Sequence, residues 1–261
     1  MRGGNIAERW CSSFDMRVHL NLASILLCSA TVLAAPGTVP NADQVVASVY
    51  ARDTLREAAS GGYTGNREYV LENHRLNKSA RMQVRVTCDH TGTKHFEVMS
   101  EDGWKSANKH VLRQMLATES DSSRPGTRPQ SRVTSDNYTF QMIDTEPLDG
   151  RTAYVIEAIP KREDKSLFRG RIWVDTEDYA LARVEGEPAK NPSFWTRKVH
   201  FVQRYSKSAA YWFPLETTSV TEARIFGTTN VSIRYFDYKP ALEAPAQALN
   251  PALMEARYAN R

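Results

Sequence analysis

Apolar and polar residues alternate along the second half of the chain, from Asp149 to Tyr238. Within it, Tyr154 and Ile156 fall on one face of an extended segment, and Val155 and Glu157 fall on the other. A period of two is typical of β-strands, and segments this short, joined directly by turns, predict an antiparallel meander. The six alternating segments are Tyr154–Ala158, Gly170–Asp175, Leu181–Glu185, Arg197–Tyr205, Tyr211–Glu222 and Val231–Tyr238.

The first half of the chain adds two helices, a loop and further strands. Near-helical spacing of apolar residues predicts an amphipathic helix from Asn41 to Ser60, capped by Asn41 or Asp43 and ended by Gly61. A second amphipathic helix is predicted from Lys105 to Thr118. The stretch from Glu119 to Arg132, dense in Ser, Pro, Gly and charged residues, predicts a mobile loop. Strand patterns occur at Tyr63–Arg75, Ala80–Asp89, Lys94–Ser100 and Tyr138–Asp144.

The distribution of apolar residues over both strand faces favours one architecture. A sandwich would leave one face of each sheet uniformly polar, whereas a curved sheet wrapped over helices buries its concave side and can leave part of it for a ligand. About ten strands and two helices therefore predict a mainly β protein with α, in which a curved antiparallel sheet forms an unclosed half-barrel covered by helices. A closed lipocalin-like barrel is the alternative, and helices before and within the strands argue against it.

The N-terminus has the order of a secretory signal peptide. A basic start at Met16-Arg17 leads into an apolar run and then into small residues before Pro36. We expect residues 1–35 to be the signal, with cleavage after Ala34 or Ala35 and a true start at Met16 as an option. A buried N-terminal helix and lipid attachment at Cys28 are the alternatives, and Leu27 before that cysteine disfavours the second. Export follows as the expectation.

Composition limits the partner classes. The 261 residues, 41% of them hydrophobic, can form one large β domain, which we place at residues 42–238, with residues 239–261 as a Pro- and Ala-rich tail. The net charge is +4, and basic residues stand beside acidic ones throughout the chain. Nucleic-acid binding requires basic residues clustered on one face, so no nucleic-acid partner is predicted. The apolar run is too short for a stable membrane span.

No catalytic or cofactor signature occurs along the chain. It has no nucleophile elbow, zinc-protease motif, P-loop or dinucleotide fingerprint, so we predict neither an enzyme nor a cofactor. An unmarked hydrolase stays as a weaker alternative. Cys88, His90 and His95 could bring three ligand types together as a metal site, but a hairpin with Cys88 as a small core residue explains them better. Cross-strand ion pairs account for the acidic residues Glu157, Asp175, Glu185 and Glu216.

Several segments together resemble a known family. They are the Gly-rich step after the first helix, Gly61-Gly-Tyr-Thr-Gly65, and the strands Ala153–Ala158, Arg171-Ile-Trp-Val-Asp175 and Ala182-Arg-Val-Glu185. In this arrangement the chain, over roughly residues 42–238, is similar to the LolA/LolB-type lipoprotein carriers and RseB-like periplasmic proteins. Two stretches depart from the plain carrier, the connection Glu187–Trp195 and the tail from Lys239.

The resemblance implies a function in binding. It implies a periplasmic carrier that holds lipoprotein acyl chains or a related amphiphile in an apolar cavity, in outer-membrane lipoprotein sorting. The alternative that it implies is an RseB-like envelope sensor or scaffold that binds a partner protein. The candidates for the cavity lining are the large apolar residues of the meander, which are Tyr154, Ile156, Ile172, Val174, Phe194, Trp195, Phe201, Tyr205, Trp212 and Phe226. For each of them, ordinary core packing is the competing interpretation.

Overall fold

The computed structural model describes residues 40–191, 196–225 and 227–242. The predicted signal peptide, the lipid-attachment alternative at Cys28 and most of the C-terminal tail lie outside these residues. The candidates Phe194, Trp195 and Phe226 also lie outside them.

Ten antiparallel strands form one sheet, as the alternation predicted. The order across the sheet is β3-β2-β1-β10-β9-β8-β7-β6-β5-β4, so β3 and β4 are its two edges and it does not close into a barrel. The prediction of an unclosed half-barrel is therefore confirmed, and the closed-barrel alternative is wrong. The strands are β1 (Tyr63–Asn73), β2 (Lys78–Cys88), β3 (Lys94–Gly103), β4 (Tyr138–Leu148), β5 (Arg151–Pro160), β6 (Phe168–Asp175), β7 (Leu181–Pro188), β8 (Thr196–Ser208), β9 (Tyr211–Ala223) and β10 (Gly227–Pro240).

The first helix begins and ends where its capping residues require. In α1 (Ala42–Ser60), the Asn41 side chain accepts a hydrogen bond from the backbone N–H of Gln44, whose side chain accepts one from the Asn41 backbone in return. Gly61 ends the helix at φ 62°, a left-handed conformation that glycine adopts without strain. The sequence prediction for this helix is thus confirmed at both ends.

The second helical segment is longer than predicted. It runs as α2 (Lys105–Ala107), a π-helical turn (Asn108–Leu112) and α3 (Arg113–Ser123). The predicted loop from Glu119 to Arg132 is therefore wrong over its first five residues, which are helical. A 3₁₀ turn at Arg128–Gln130 and backbone hydrogen bonds order the remainder. The Ser- and Asp-rich composition of this end suggested a loop, but tertiary contacts of Glu119, Ser120 and Ser123 outweigh local propensity.

Each helical segment covers a different half of the sheet's concave face. The N-terminal half of α1 buries Val45, Val46 and Val49 against β4 to β7. The second segment buries Leu112 and Leu116 against β1, β2 and β10. A small third cluster of Ala153, Val155 and Trp173 lies on the opposite face of β5 and β6, which explains why both faces of these strands carry apolar residues. The half under the second segment also holds buried charged residues.

Candidate functional site

Arg67 lies on the concave face beneath the second helical segment. It lies on β1 between Gly65 and Tyr69, at an inward position of the alternation, and is only 1% exposed. Its guanidinium donates to both carboxylate oxygens of Glu119 on α3, at 2.7 and 3.1 Å. It also donates to the hydroxyls of Tyr69 and Tyr238, at 3.1 and 2.8 Å. A buried guanidinium needs such partners because desolvation penalises its charge.

Lys94 shares the same carboxylate. Its ammonium donates to Oε1 of Glu119 at 2.7 Å, from the start of the edge strand β3. Burial would raise the pKa of Glu119, but Lys94 and Arg67 outweigh it and lower that pKa to about 2. Burial would likewise lower the pKa of Lys94, but Glu119 raises it well above its usual value. All three groups are therefore ionised at neutral pH, and two positive charges share one negative charge.

Five tyrosines surround these charges and complete what we call the central polar cluster, which consists of Arg67, Lys94, Glu119, Tyr63, Tyr69, Tyr205, Tyr235 and Tyr238. The Arg67 guanidinium lies over the ring of Tyr235, 4.9 Å from its centroid, and on Phe96, 5.2 Å away. Burial raises the pKa of Tyr69 to about 12 and also raises the pKa values of the other four. Their hydroxyls are thus neutral donors at physiological pH.

A β-bulge places Tyr238 in this cluster. Tyr235 points to the concave face, and strict alternation would send Tyr238 to the other face. Asp237 has φ 56° and the register with β1 shifts between Thr64 and Asn66, which turns the Tyr238 side chain inward. Its ring then lies on Gly65, where a Cβ atom would be 2.5 Å from ring carbons. Glycine is therefore required at that position for Tyr238 to reach Arg67.

Charged contacts tie the C-terminal half of α1 to its surroundings. Arg56 donates to the backbone carbonyls of Asp178 and Tyr179 in the β6–β7 turn. Glu57 pairs with Arg128 and Arg132, which follow α3 in the chain. Asp53 pairs with Arg56 at 2.9 Å, and burial raises the pKa of Asp53 to about 6 against the opposing effect of Arg56. These half-exposed polar tethers, together with three valines, hold this cover on the sheet.

An open groove runs along α3 beside the central polar cluster. The side of α3 that lines this groove faces the sheet, because Glu119 lines the groove and also reaches Arg67 on β1. Val111, which is 41% exposed, and Met115 provide apolar surface within it. The residues along the groove are His110, Val111, Gln114, Met115, Thr118, Glu119 and Ser122. An apolar flank next to a polar centre is an arrangement suited to an amphiphile.

The predicted lining residues fall into three groups. Six of the ten pack in the cluster under α1, and these are Tyr154, Ile156, Ile172, Val174, Phe201 and Tyr205. Ile156, Ile172 and Val174 are fully buried, whereas the three aromatic residues keep some accessibility. Trp212 lies apart from them, because its indole donates to Asp178 at 2.9 Å and the Arg151 guanidinium lies over its ring. The last three, Phe194, Trp195 and Phe226, are outside the described residues.

Sequence reasoning missed most of the central polar cluster. Arg67 stands at an inward position of β1, where Tyr63, Gly65, Tyr69 and Leu71 share its face. A charged residue at such a position was the available signal, since buried charges occur with dedicated partners. The partners themselves gave no signal, because Glu119 was assigned to a loop and the inward turn of Tyr238 depends on a bulge.

Metal sites and membrane-spanning helices are two further features of the described residues to consider. Among them, no group of three or more His, Cys, Asp or Glu side chains is arranged to hold a metal ion. His95 instead lies 3.4 Å from Asp89 in the β2–β3 hairpin, and Cys88 is 8% exposed in the core, as predicted. Within the same part of the chain, no helix combines the length and the apolar character needed to cross a membrane.

Comparisons with known proteins give limited matches. A family model described as a family of unknown function (DUF5686) matches residues 121–238. A comparison with curated proteins found no match.

Among solved structures, the chain is similar to a putative outer membrane lipoprotein-sorting protein domain from Vibrio parahaemolyticus. The two are 14% identical, the match covers 80% of this chain and 97% of that chain, and the TM-score is 0.42. A DUF1329 family protein from Desulfovibrio piger is similar at 13% identity, 80% and 97% coverage and a TM-score of 0.41. A LolA superfamily protein from Nitrosomonas europaea is similar at 12% identity, 78% and 98% coverage and a TM-score of 0.38. Two of these descriptions name the group that the sequence resembles.

Proposed function

We propose that this chain is an exported periplasmic binding protein that holds acyl chains of a lipoprotein, or of a related amphiphile, on the concave face of its open sheet. The observation that carries the proposal is the pair of apolar clusters on that face, each covered by a separate helical segment. The sheet edges β3 and β4 are not joined, so the covers can move without breaking strand pairing.

The free energies gained on burial allow a ligand to replace α1 on the sheet. The contact of α1 with the sheet rests on Val45, Val46 and Val49 with Ala42, and a buried valine contributes about 1.5–3 kcal/mol. Three valines therefore contribute about 5–9 kcal/mol. A C16 acyl chain gains about 12 kcal/mol on full burial, at about 0.8 kcal/mol for each of its roughly 15 apolar carbons. The two gains are comparable, so an acyl chain can displace α1 and α1 can return when the chain leaves.

The ligand would then lie against residues that α1 covers in the present structure. Tyr154, Phe201 and Tyr205 are among the partly accessible aromatic members of this cluster and would contact the chain. The tethers through Arg56 and Glu57 are partly exposed ion pairs and hydrogen bonds, which contribute little to stability in water. These contacts therefore keep α1 on the sheet but are weak enough for a ligand to displace it.

The test is native mass spectrometry with lipid extraction, on protein purified without detergent from its own host envelope. We expect a co-purifying acylated species that is lost in Phe201→Asp, which places a charge on the concave face. The matched control is Val202→Asp, the next residue of β8, whose side chain points to the opposite face. Circular dichroism and thermal unfolding would show that both variants fold. Protein free of lipid, which also fails to bind an offered acylated peptide, would refute the proposal.

A second candidate is a sensor or scaffold that binds a partner protein. It is favoured by a shallow depression on the outer side of the sheet, where Leu215 and Phe236 are 41% and 40% exposed beside Glu216 and Arg234. A photoreactive residue at Leu215 should crosslink one defined protein in the envelope, whereas the same residue at Lys109 should not. Equal crosslinking from both positions would remove this candidate.

A further inference from the structure

The charges of the central polar cluster do not balance. Arg67 and Lys94 are both cationic, and Glu119 is the carboxylate they share. Asp53, the acidic group of α1 whose charge acts on Tyr205, already pairs with Arg56. Within the described residues the cluster therefore carries one net positive charge. Charges inside proteins are normally paired, because an unpaired one loses its hydration without compensation.

The uncompensated charge belongs to Lys94. Four of the five N–H donors of Arg67 are directed at Glu119, Tyr69 and Tyr238. The Lys94 ammonium has three N–H donors, and one of them is directed at Glu119. The Lys94 side chain keeps 28% of its surface accessible, so a ligand group can reach it.

One tyrosine hydroxyl lies in the same row of the sheet as Lys94. Tyr63, Cys88 and Lys94 are directly opposite one another on the adjacent strands β1, β2 and β3, which places Tyr63 two strands from Lys94. In the described part of the chain the Tyr63 hydroxyl has no hydrogen-bond partner, and burial, which raises its pKa, keeps it a neutral donor.

We propose that Lys94, with the hydroxyl of Tyr63, binds one anionic group, a phosphate or carboxylate, at the head of an amphiphile whose apolar tail lies on the concave face. An ammonium and a neutral hydroxyl supply donors for such a group, and its charge would balance the cluster. This inference rests on the proposed function and deepens it, because it assigns the chemistry of the head group. Glu119, itself bound by Arg67, would hold Lys94 in place, and neither Glu119 nor Arg67 would contact the ligand.

The test compares three probes that differ in one part each. Lysophosphatidic acid with a C16 chain has both the anion and the tail, monopalmitoylglycerol has the same tail without the anion, and glycerol phosphate has the anion without the tail. Titration calorimetry on the full delipidated protein should show lysophosphatidic acid binding at least about tenfold more tightly than monopalmitoylglycerol, as one charge-assisted hydrogen bond implies. Glycerol phosphate alone should bind at least a thousandfold more weakly than lysophosphatidic acid.

Variants assign the preference to Lys94. Lys94→Gln should reduce the preference for the anionic probe to about twofold or less, whereas Lys94→Arg should retain it. Lys109→Gln, a change on the second helical segment away from the cluster, is the matched control and should behave as the unchanged protein. Thermal unfolding of each variant would show that it folds, and if Lys94→Gln does not, the comparison of the three probes on the unchanged protein decides alone.

The outcomes separate the two proposals. If both tailed probes bind equally well, the protein binds amphiphiles but the anion site is refuted, and Lys94 is a solvated lysine. If glycerol phosphate binds as tightly as lysophosphatidic acid, the site takes free phosphate and the assignment to an amphiphile is wrong. If no tailed probe binds, the proposed function itself fails.

Discussion

Replacing Glu119 by glutamine tests whether the central polar cluster holds the second helical segment on the sheet. The variant keeps the size of the side chain but leaves Arg67, which is 1% exposed, and Lys94 without their shared counter-charge. The pKa of Glu119 is lowered from 4.5 to about 2, although burial alone would raise it. That difference corresponds to about 3 kcal/mol, and screening at a side chain that is 33% exposed reduces it to about 2 kcal/mol.

The pH dependence of this loss has a definite sign. Because the folded-state pKa is depressed, Glu119 contributes its stabilisation above pH 4.5 and loses it as the pH falls through about 2. Glu119→Gln should therefore lower the free energy of unfolding by about 2 kcal/mol at neutral pH. The difference from the unchanged protein should shrink steadily below pH 4.5.

Urea unfolding followed by tryptophan fluorescence measures both quantities. The control is Asp121→Asn on the same helix, because Asp121 is 65% exposed and its pair with Arg124 lies in solvent. We expect that change to cost less than about 0.5 kcal/mol. A loss for Glu119→Gln as small as the control's, or one that is the same at neutral pH and at a pH of about 2, would refute the electrostatic argument.

Two further predictions concern the surroundings of the cluster. Gly65→Ala should lower the free energy of unfolding by about 1–3 kcal/mol, because the added Cβ would lie 2.5 Å from the Tyr238 ring. The control Gly126→Ala, with no atom within 4 Å of its Cβ, should be neutral. Equal melting temperatures for the two variants would contradict the packing argument. Asp53→Asn should raise the free energy of unfolding at neutral pH by about 1 kcal/mol. The reason is that a carboxyl whose folded-state pKa is raised to about 6 destabilises the protein above that pH and no longer does so once it is protonated. The effect is kept small because the Asp53 side chain is 45% exposed and therefore screened by solvent. The gain should vanish below pH 3.8, and a loss at neutral pH would show instead that the pair with Arg56 dominates.

The sequence by itself determined the sheet and the first helix. Alternation in segments such as Ala80–Asp89 has a period of two that only a strand with one buried face satisfies, and β2 buries Met82, Val84, Val86 and Cys88 as that pattern requires. Asn41 and Gly61 set the ends of α1 through contacts within a few residues of the chain. These signals are local, so the primary structure carries them completely.

Only the tertiary structure decided the central polar cluster. Arg67 and Glu119 are separated by 52 residues, and Arg67 and Tyr238 by 171, so no local pattern links them. Glu119 is helical because Arg67 and Lys94 on the sheet bind its carboxylate, although its neighbours in the chain favour a loop. Tyr238 faces inward because of the bulge at Asp237, which reverses the alternation that a sequence pattern assumes. The side chains most relevant to binding are thus the ones whose positions depend on distant strands.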